Sequence, residues 1–204
     1  MPAWGSVHRG HAMTITGTVR LAAVVYQAAF QIDDFLTRAA SLLRADHVRL
    51  GGVLQENARA AAGACPAMTL IDLTSQSRFR ISQDLGSQAQ GCRLDASELT
   101  EVGALLDQTL DQLNNNVELL VLNRFGKAEA EGGGLRSAFA RAIEAGIPIV
   151  TAVRSPYTEA WSEFHGRLAI DLIPDFDPVL AWCRDSVREL RAARLLRSSC
   201  ARSS

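Results

Sequence analysis

The sequence predicts an α/β protein with a three-layer sandwich architecture, in which helices cover both faces of a mostly parallel β-sheet. Residues Val117–Val153 contain an apolar run, a charged loop, a helical pattern and another apolar run, which together form one βαβ unit. The apolar run Leu21–Tyr26 precedes a helical pattern over Ile32–Arg44. The short runs Met68–Leu73 and Arg78–Ser82 are separated by polar residues and are typical of a β-hairpin beside the main sheet.

The length of 204 residues suits one α/β domain, which we assign to residues 19–197. Residues 1–18 lack a continuous apolar segment and are predicted to be a disordered N-terminal segment, with Met13 as an alternative start. Residues 198–204 are predicted to be a flexible tail. A hydrophobic content of 48% and a charged content of 21% indicate a globular chain.

Charge and cysteine spacing exclude several classes of partner. A net charge of -1 gives no general attraction to nucleic acid or anionic lipid, so an anion site would have to be local. No apolar run approaches the ~20 residues that span a bilayer. The four cysteines have neither zinc-ligand nor disulfide-framework spacing. We therefore expect a cytoplasmic protein without nucleic-acid or membrane partners, and the oligomeric state stays open.

The remaining elements follow from periodicity and from glycine and proline positions. A glycine pair in the second strand indicates either close approach of another backbone or a β-bulge. The helix after residue 95 should turn five apolar side chains inward: Leu99, Val102, Leu105, Leu106 and Leu110. The predicted ranges are a strand at Val48–Gln55, a loop at Glu56–Pro66, a helix from Asp95 or Ser97 to Leu113, a short helix within Thr158–Leu168, a proline-broken link at Asp171–Pro178 and a final helix at Val179–Leu196.

The loop Asn123–Gly134 is the main candidate site, because it follows the central strand of the βαβ unit. In open α/β sheets, ligands bind where such loops leave the carboxyl ends of strands. Two cations and the backbone N–H groups at a helix start would suit an anion such as molybdate, tungstate or phosphate. A solvated surface loop is the alternative explanation. The candidate ligand-binding residues of this loop are Asn123, Arg124, Lys127, Glu129, Glu131, Gly132, Gly133 and Gly134.

Nucleotide hydrolysis is the second hypothesis for this loop. Glu129 and Glu131 would then hold magnesium through water, and Glu129 would be the catalytic residue. The segment Gln27–Gln31 occupies the place of a phosphate-binding loop but contains neither glycine nor lysine. Asp33 follows it, where a phosphate would otherwise bind. These features favour a ligand-binding protein that does not hydrolyse nucleotides.

Four further residues are candidates for the same cleft. Gln55 and Gln83 lie near predicted strand ends. Cys92 stands in a polar segment beside Arg93, where it would serve either as a thiolate ligand or as a packing residue. Asp95 is placed with them, although a helix cap is its simplest role.

Six segments, taken in order, resemble a bacterial family of unassigned function that is often encoded beside molybdate-transport genes. They are GGVLQ (51–55), MTLIDL (68–73), ISQDLG (81–86), GCRLD (91–95), VLNRFGKAEAEGGGL (121–135) and GIPIVTAV (146–153). The resemblance covers about residues 20 to 170, and its most specific part is NRFGKAEAEG. It implies a link to molybdate or molybdenum-cofactor handling and to proteins that handle molybdenum.

The layout is also distantly similar to small P-loop nucleoside-triphosphatases. This similarity implies a P-loop-type fold with a degenerate phosphate loop. The strand end that carries an acidic Walker-B pair in those enzymes is Asn123-Arg124 here, while the glycine and glutamate that follow the pair correspond to Gly126 and Glu129.

Three functions are therefore weighed. The first is a non-hydrolysing protein that binds an oxyanion or a nucleotide, with or without magnesium, and serves molybdenum handling. The others are a nucleoside-triphosphatase with a rebuilt site and a structural protein-interaction module. Geometrically, we expect the strand ending at Leu122 to neighbour both the first strand and the strand ending at Val153. Lys127 should face Gln27–Gln31, and Asp33 or Asp34 should pair with Lys127 or Arg124 when no ligand is bound.

Overall fold

A computed structural model describes residues 20–57, 67–83, 93–94, 96–112 and 116–201. The predicted N-terminal segment, residues 1–18, lies outside this part of the chain. The strands are β1 Leu21–Tyr26, β2 Leu50–Asn57, β3 Met68–Asp72, β4 Arg78–Arg80, β5 Ser82–Gln83, β6 Arg93–Leu94, β7 Leu119–Phe125, β8 Ile149–Arg154 and β9 Ala169–Leu172. The helices are α1 Ile32–Ala45, α2 Ala96–Gln112, α3 Lys127–Ala130, α4 Arg136–Glu144, α5 Thr158–His165 and α6 Phe176–Ala201, with a 3-10 turn at Ser155–Tyr157.

The main sheet has seven strands in the order β4-β3-β2-β7-β8-β1-β9. The five strands from β2 to β9 in this order are parallel, whereas β3 and β4 are antiparallel to their neighbours. The predicted α/β class with a mostly parallel sheet and a hairpin is confirmed. Because β1, β2, β7 and β8 run in the same direction, their carboxyl ends meet at one edge of the sheet.

Strand order differs from expectation in two places. The neighbours of β7 are β2 and β8, so β8 separates β7 from β1, and the expected contact between β7 and β1 was wrong. The link predicted at residues 171–178 contains the end of an additional strand, β9, which pairs with β1 at the sheet edge. The apolar residues of this segment are interrupted by Asp171 and followed by Pro174, and Ile170 is 53% exposed at the sheet edge.

Gly52 confirms the close approach predicted for the glycine pair of β2. Its φ is +99°, and a Cβ atom there would lie 2.0 Å from the carbonyl oxygen of Val121 on β7. Any side chain at this position would push β2 away from the central strand.

Two apolar cores fill the spaces on either side of the sheet. Helices α2, α4 and α5 cover one face, and α1 and α6 cover the other. In α2, Leu99, Val102 and Leu106 are buried as predicted, but Leu105 is 37% exposed, because it lies outside the stripe that faces the sheet.

The last helix is longer than predicted at both ends. It begins at Phe176 and includes Pro178 in its first turn, where a missing N–H costs no helical hydrogen bond. It continues to Ala201, past the predicted start of the tail at residue 198. None of the helices in the described part of the chain is long and apolar enough to cross a membrane.

The buried carboxylate of Glu118 binds Arg191 of α6 and so holds this helix against the amino edge of the sheet. Its side chain is 2% exposed, and its carboxylate accepts hydrogen bonds from Arg191 at 2.7 and 2.8 Å and from the Arg49 backbone N–H at 3.1 Å. Arg49 adds an ion pair at 2.8 Å. Burial by itself raises the pKa of Glu118, but these hydrogen bonds and charges outweigh it, so that the pKa is lowered.

We predict that Glu118→Gln lowers the free energy of unfolding at neutral pH by about 1–3 kcal/mol, because a charge-assisted buried contact is lost. The folded-state pKa of Glu118 is depressed, so its contribution is present above the unfolded-state pKa of about 4.3 and is lost as the pH falls through the folded-state value. Denaturant unfolding between pH 3 and 7 should therefore show the variant and the wild type converging at acid pH.

Glu131→Gln is the control for this measurement, because the Glu131 side chain is 66% exposed. Its unfolding curves should match the wild type throughout. A stability difference for Glu118→Gln that does not shrink as the pH falls would contradict the role assigned to the carboxylate.

Candidate anion-binding site at the carboxyl edge of the sheet

A cleft of about 430 Å³ lies at the carboxyl ends of β1, β2, β7 and β8. Polar and cationic side chains from the strand ends share it with apolar side chains from β3, from α2 and from Leu135, which precedes α4. Its lining residues are Tyr26, Gln55, Met68, Leu70, Ile81, Leu99, Asn123, Arg124, Phe125, Gly126, Lys127, Ala128, Glu129, Leu135, Arg154 and Tyr157. The cleft is therefore where ligands of open α/β sheets bind.

Arg124 is the central cation of this cleft. One guanidinium nitrogen, Nη2, donates to Asp33 in the first turn of α1 at 2.5 Å. The Nε of Arg124 is buried and has no hydrogen-bond acceptor within the described part of the chain. A buried donor without an acceptor is costly, so this N–H is a position where an acceptor atom of a ligand would be stabilised. The expected pairing of Asp33 with Arg124 is confirmed.

A chain of side-chain amides leads from β7 to the same aspartate. Asn123 accepts from the backbone N–H of Gln55 at 3.1 Å and donates to its side-chain oxygen at 3.2 Å. Gln55 donates to Asn57 at 2.7 Å, and Asn57 donates to the second oxygen of Asp33 at 2.7 Å. Both oxygens of the Asp33 carboxylate thus have donors, and the Asn123 amide is used within this network.

Tyr26 and Arg154 complete the polar wall. They are the last residues of β1 and β8 and stand opposite one another in the register of the two strands. Burial raises the pKa of Tyr26 and outweighs the lowering effects of the Arg124 charge and of a hydrogen bond that Arg124 donates to the phenol oxygen. The phenol is therefore neutral at physiological pH and keeps its proton for donation to an acceptor. The guanidinium of Arg154 lies 5.9 Å from the ring centre of Tyr157.

Glu129 holds the turn between β7 and α4. Its carboxylate is buried and accepts from the backbone N–H of Gly126 at 2.9 Å and from that of Leu135 at 3.0 Å. Arg136 donates to its carbonyl oxygen at 3.0 Å. One carboxylate therefore caps α3 and the start of α4 together, which fixes the backbone that borders the cleft.

The predicted continuous loop at residues 123–134 was wrong in two respects. Strand β7 continues to Phe125, because its ring packs against Phe139, Trp161 and Phe164 with centroid distances of 5.2 to 6.4 Å. A short helix, α3, follows directly at Lys127–Ala130. The segment is thus an ordered strand end and helix.

Lys127 does not make the predicted contact with the α1 side of the cleft. Its ammonium group lies 3.7 Å from the Glu131 carboxylate one turn along α3, and its side chain is 73% exposed. The N–H groups of Gly132 and Gly133 donate to the carbonyls of Glu129 and Ala128. They are therefore used within the turn, contrary to the expectation that they face an anion.

The structure brings five predicted site residues to the cleft: Gln55, Asn123, Arg124, Lys127 and Glu129. Glu131 and residues 132–134 belong to the adjoining turn and are absent from the lining of the described cleft. Gln83 ends β5, but its side chain is not among those that the structure describes. Cys92 and Asp95 lie outside the described residues altogether. Among the residues described, no three histidine, cysteine, aspartate or glutamate side chains are grouped to hold a metal ion.

Three cleft residues with aromatic hydroxyl or cationic side chains were missed from the sequence: Tyr26, Arg154 and Tyr157. Two of them end parallel strands, and the rule that ligands bind at carboxyl ends of strands would have found them. Tyr157 lies in the 3-10 turn that follows β8, which the sequence shows only as a short turn.

Comparison with known proteins places the chain in a family. Residues 21–182 match a family described as "Protein of unknown function (DUF2478)". The chain belongs to this family. The matched range begins with β1 and ends within α6, so it includes every strand of the main sheet and the whole cleft.

Two further proteins are similar to this chain. The "Molybdenum import ATP-binding protein ModC 2" of Bradyrhizobium diazoefficiens is 37% identical over 176 residues, which are 86% of this chain and 19% of that protein. The chain thus spans about a fifth of the length of this relative. The solution structure of a human cancer-related nucleoside triphosphatase has a TM-score of 0.54 at 14% identity and covers 85% of this chain and 98% of its own. That likeness shows the fold.

Gly134 provides a test of the Glu129 turn. A Cβ atom there would lie 2.1 Å from Glu129 Oε1, and the φ of Gly134 is +61°. We predict that Gly134→Ala destabilises the protein through both strain and displacement of the carboxylate. The loss should exceed by at least ~1 kcal/mol that of Gly146→Ala, measured by denaturant unfolding.

Gly146 is a matched control, because its φ is +66° and a Cβ atom there would meet no atom within 4 Å. It therefore reports the backbone strain alone. Equal losses for the two variants would mean that the Glu129 carboxylate does not depend on the space beside Gly134.

Proposed function

We propose that this protein binds the oxyanion group of a small ligand, either a free oxyanion or a nucleotide, in the cleft at the carboxyl edge and does not hydrolyse it. The observation that carries this proposal is the buried Nε–H of Arg124, which lacks an acceptor in the described structure. An oxyanion accepts several hydrogen bonds at once from the planar fork of a guanidinium. Arg154, Lys127 and the protonated Tyr26 line the same cleft.

Asp33 supports this interpretation, because it already places an anion against Arg124. The carboxylate contacts Nη2 and leaves the Nε side of the guanidinium to another acceptor. It occupies the first turn of α1, where the fold class would otherwise bind phosphate. We infer that a ligand either bridges to the free side of Arg124 or displaces Asp33 from it.

Binding without hydrolysis is supported by the groups that replace an NTPase site. Catalysis of phosphoryl transfer requires a lysine and a backbone cradle around the phosphates, together with carboxylates for magnesium. The segment after β1 has no lysine, and the pair at the end of β7 is Asn123-Arg124. The Glu129 carboxylate is already used by two backbone N–H groups.

The molybdenum link rests on the relative from Bradyrhizobium, whose printed name assigns it to molybdenum import. About a fifth of that protein is similar to this chain. The sequence of this chain contains no Gly-x-x-x-x-Gly-Lys-Ser/Thr motif, so the similarity need not reflect ATP binding. We propose that the shared stretch serves molybdenum handling as an accessory domain.

Isothermal titration calorimetry with molybdate, tungstate, phosphate, ATP and GTP tests the proposal. At least one of these ligands should bind the wild type, and no magnesium-dependent phosphate release from ATP or GTP should exceed the buffer rate. Absence of binding by all five ligands would contradict the binding proposal. Release of phosphate that is lost in Glu129→Gln would favour the nucleoside-triphosphatase alternative instead.

Arg124→Gln should make the free energy of ligand binding less favourable by about 2–3 kcal/mol, because a charge-assisted contact is lost. Lys127→Ala should cost less, since the side chain is 73% exposed. The matched control is Arg184→Gln, which removes a guanidinium paired with Asp46 at 2.7 Å and remote from the cleft. Equal effects of Arg124→Gln and Arg184→Gln on affinity would show that the site is misplaced.

Asp33→Asn should act in the opposite direction. It removes the carboxylate that competes for Arg124 and repels a bound anion, so affinity should rise up to about tenfold. Calorimetry of this variant shows whether Asp33 competes with the ligand for Arg124 or holds Arg124 in position for it. A fall in affinity would mean that Asp33 positions Arg124 for the ligand.

A further inference from the structure

The chemistry of the cleft changes along the edge of the sheet. At one end, Met68 and Leu70 of β3 are joined by Ile81 and by Leu99 of α2, all of them apolar. At the other end, the residues contributed by β7, β8 and β1 are Arg124, Arg154 and Tyr26. Since β3, β2, β7, β8 and β1 are neighbours in this order, the apolar and the cationic residues lie at different ends of the cleft, with β2 between them.

Two amides lie between these ends. Leu70 stands opposite Gln55 in the pairing of β3 with β2, and Gln55 is hydrogen-bonded to Asn123 on β7. Each side-chain amide nitrogen carries two N–H bonds, and the contact between Asn123 and Gln55 uses one of those on Asn123. The cleft thus passes from an apolar wall, through amide groups, to guanidinium groups.

The size of the cleft exceeds what a free oxyanion needs. A tetrahedral oxyanion displaces on the order of three water molecules, roughly 90 Å³. The cleft holds about 430 Å³, which is within the range of sites for organic ligands. An oxyanion at Arg124 would leave most of this volume unfilled, including the part beside the half-buried side chain of Met68.

We infer that the ligand is a phosphate ester of a nitrogen heterocycle, with its phosphate at Arg124 and Arg154 and its ring against Met68, Leu70 and Leu99. This inference rests on the proposed anion site and narrows its ligand. Apolar ring faces lose contact with water against the aliphatic wall, and ring nitrogens and carbonyls are partners for the amides of Gln55 and Asn123. Purine nucleotides and phosphorylated pteridine-type compounds share this chemistry.

Calorimetry of the full chain with a matched ligand series tests the inference. The series contains inorganic phosphate, ribose 5-phosphate, GMP, which adds a purine, and FMN, in which a pteridine-type ring system is attached to ribitol 5-phosphate. GMP or FMN should bind at least about tenfold more tightly than ribose 5-phosphate, which corresponds to burial of one side of a ring. The comparison between GMP and FMN distinguishes the two ring classes.

A pair of variants separates the two ends of the cleft. Met68→Gln keeps the length of a partly buried side chain but makes the wall polar, so the affinity of the heterocyclic ligand should fall about fivefold while that of inorganic phosphate is unchanged. Arg124→Gln should weaken both ligands. Thermal unfolding of each variant checks that the fold is kept.

An advantage of less than tenfold for both GMP and FMN over ribose 5-phosphate would overturn the inference, while binding of inorganic phosphate would leave the proposed anion site intact. Loss of phosphate binding in Met68→Gln at unchanged thermal stability would also overturn it. If phosphate, molybdate and all organic phosphates fail to bind, the proposed function fails together with this inference.

Discussion

The ion pair between Arg124 and Asp33 is the interaction on which the carboxyl edge depends. It joins the end of β7 to the first turn of α1, two segments that are far apart in sequence. The amide chain through Asn57, Gln55 and Asn123 returns from Asp33 to β7, so that the connection is closed on both sides. Networks of this kind fix one arrangement because each member satisfies its neighbour. The buried Nε–H of Arg124 has no acceptor in the described part of the chain, and we propose that a ligand supplies one.

The two edges of the sheet use carboxylates differently. At the amino edge, buried Glu118 is surrounded by Arg49 and Arg191 and serves to hold α6 in place. At the carboxyl edge, buried Glu129 accepts only backbone N–H groups and shapes the turn beside the cleft. Neither carboxylate is therefore presented to a ligand. Among the cations of the cleft, Arg124 pairs with Asp33 and Lys127 lies beside Glu131, and Arg154 adds a further positive charge, which suits the cleft to an anion.

Much of the fold was predictable because apolar residues with period 2 or 3.6 carry local information. Strand β1 and helix α1 matched their predicted ranges closely for this reason. The strand end at Phe125 was not predictable, because its neighbours in sequence are polar and its aromatic partners lie in α4 and α5. Strand β9 was missed because it is short and because Pro174 and Pro178, which follow it closely, are typical of an irregular link.

The sequence predicted where the candidate site lies better than it predicted which side chains line it. The rule for carboxyl ends of strands located the cleft and Arg124, and the aspartates after β1 indicated the ion pair. The roles of Lys127 and Glu129 depend on the directions of their side chains within α3. Those directions would change if β7 ended and α3 began one residue earlier or later. Tyr26 and Arg154 end the parallel strands β1 and β8, so the same rule, applied to every strand end, would have located them as well.

A crystal grown or soaked with tungstate gives the most direct test of an oxyanion site at Arg124, because the anomalous scattering of tungsten locates the ion without ambiguity. The account predicts a tungsten peak in the cleft, with an oxygen within hydrogen-bonding distance of Arg124 Nε and the Arg154 guanidinium nearby. Tungsten bound only elsewhere, for example among the arginines of α6, would contradict it. So would an occupied cleft in which Arg124 makes no contact with the ion.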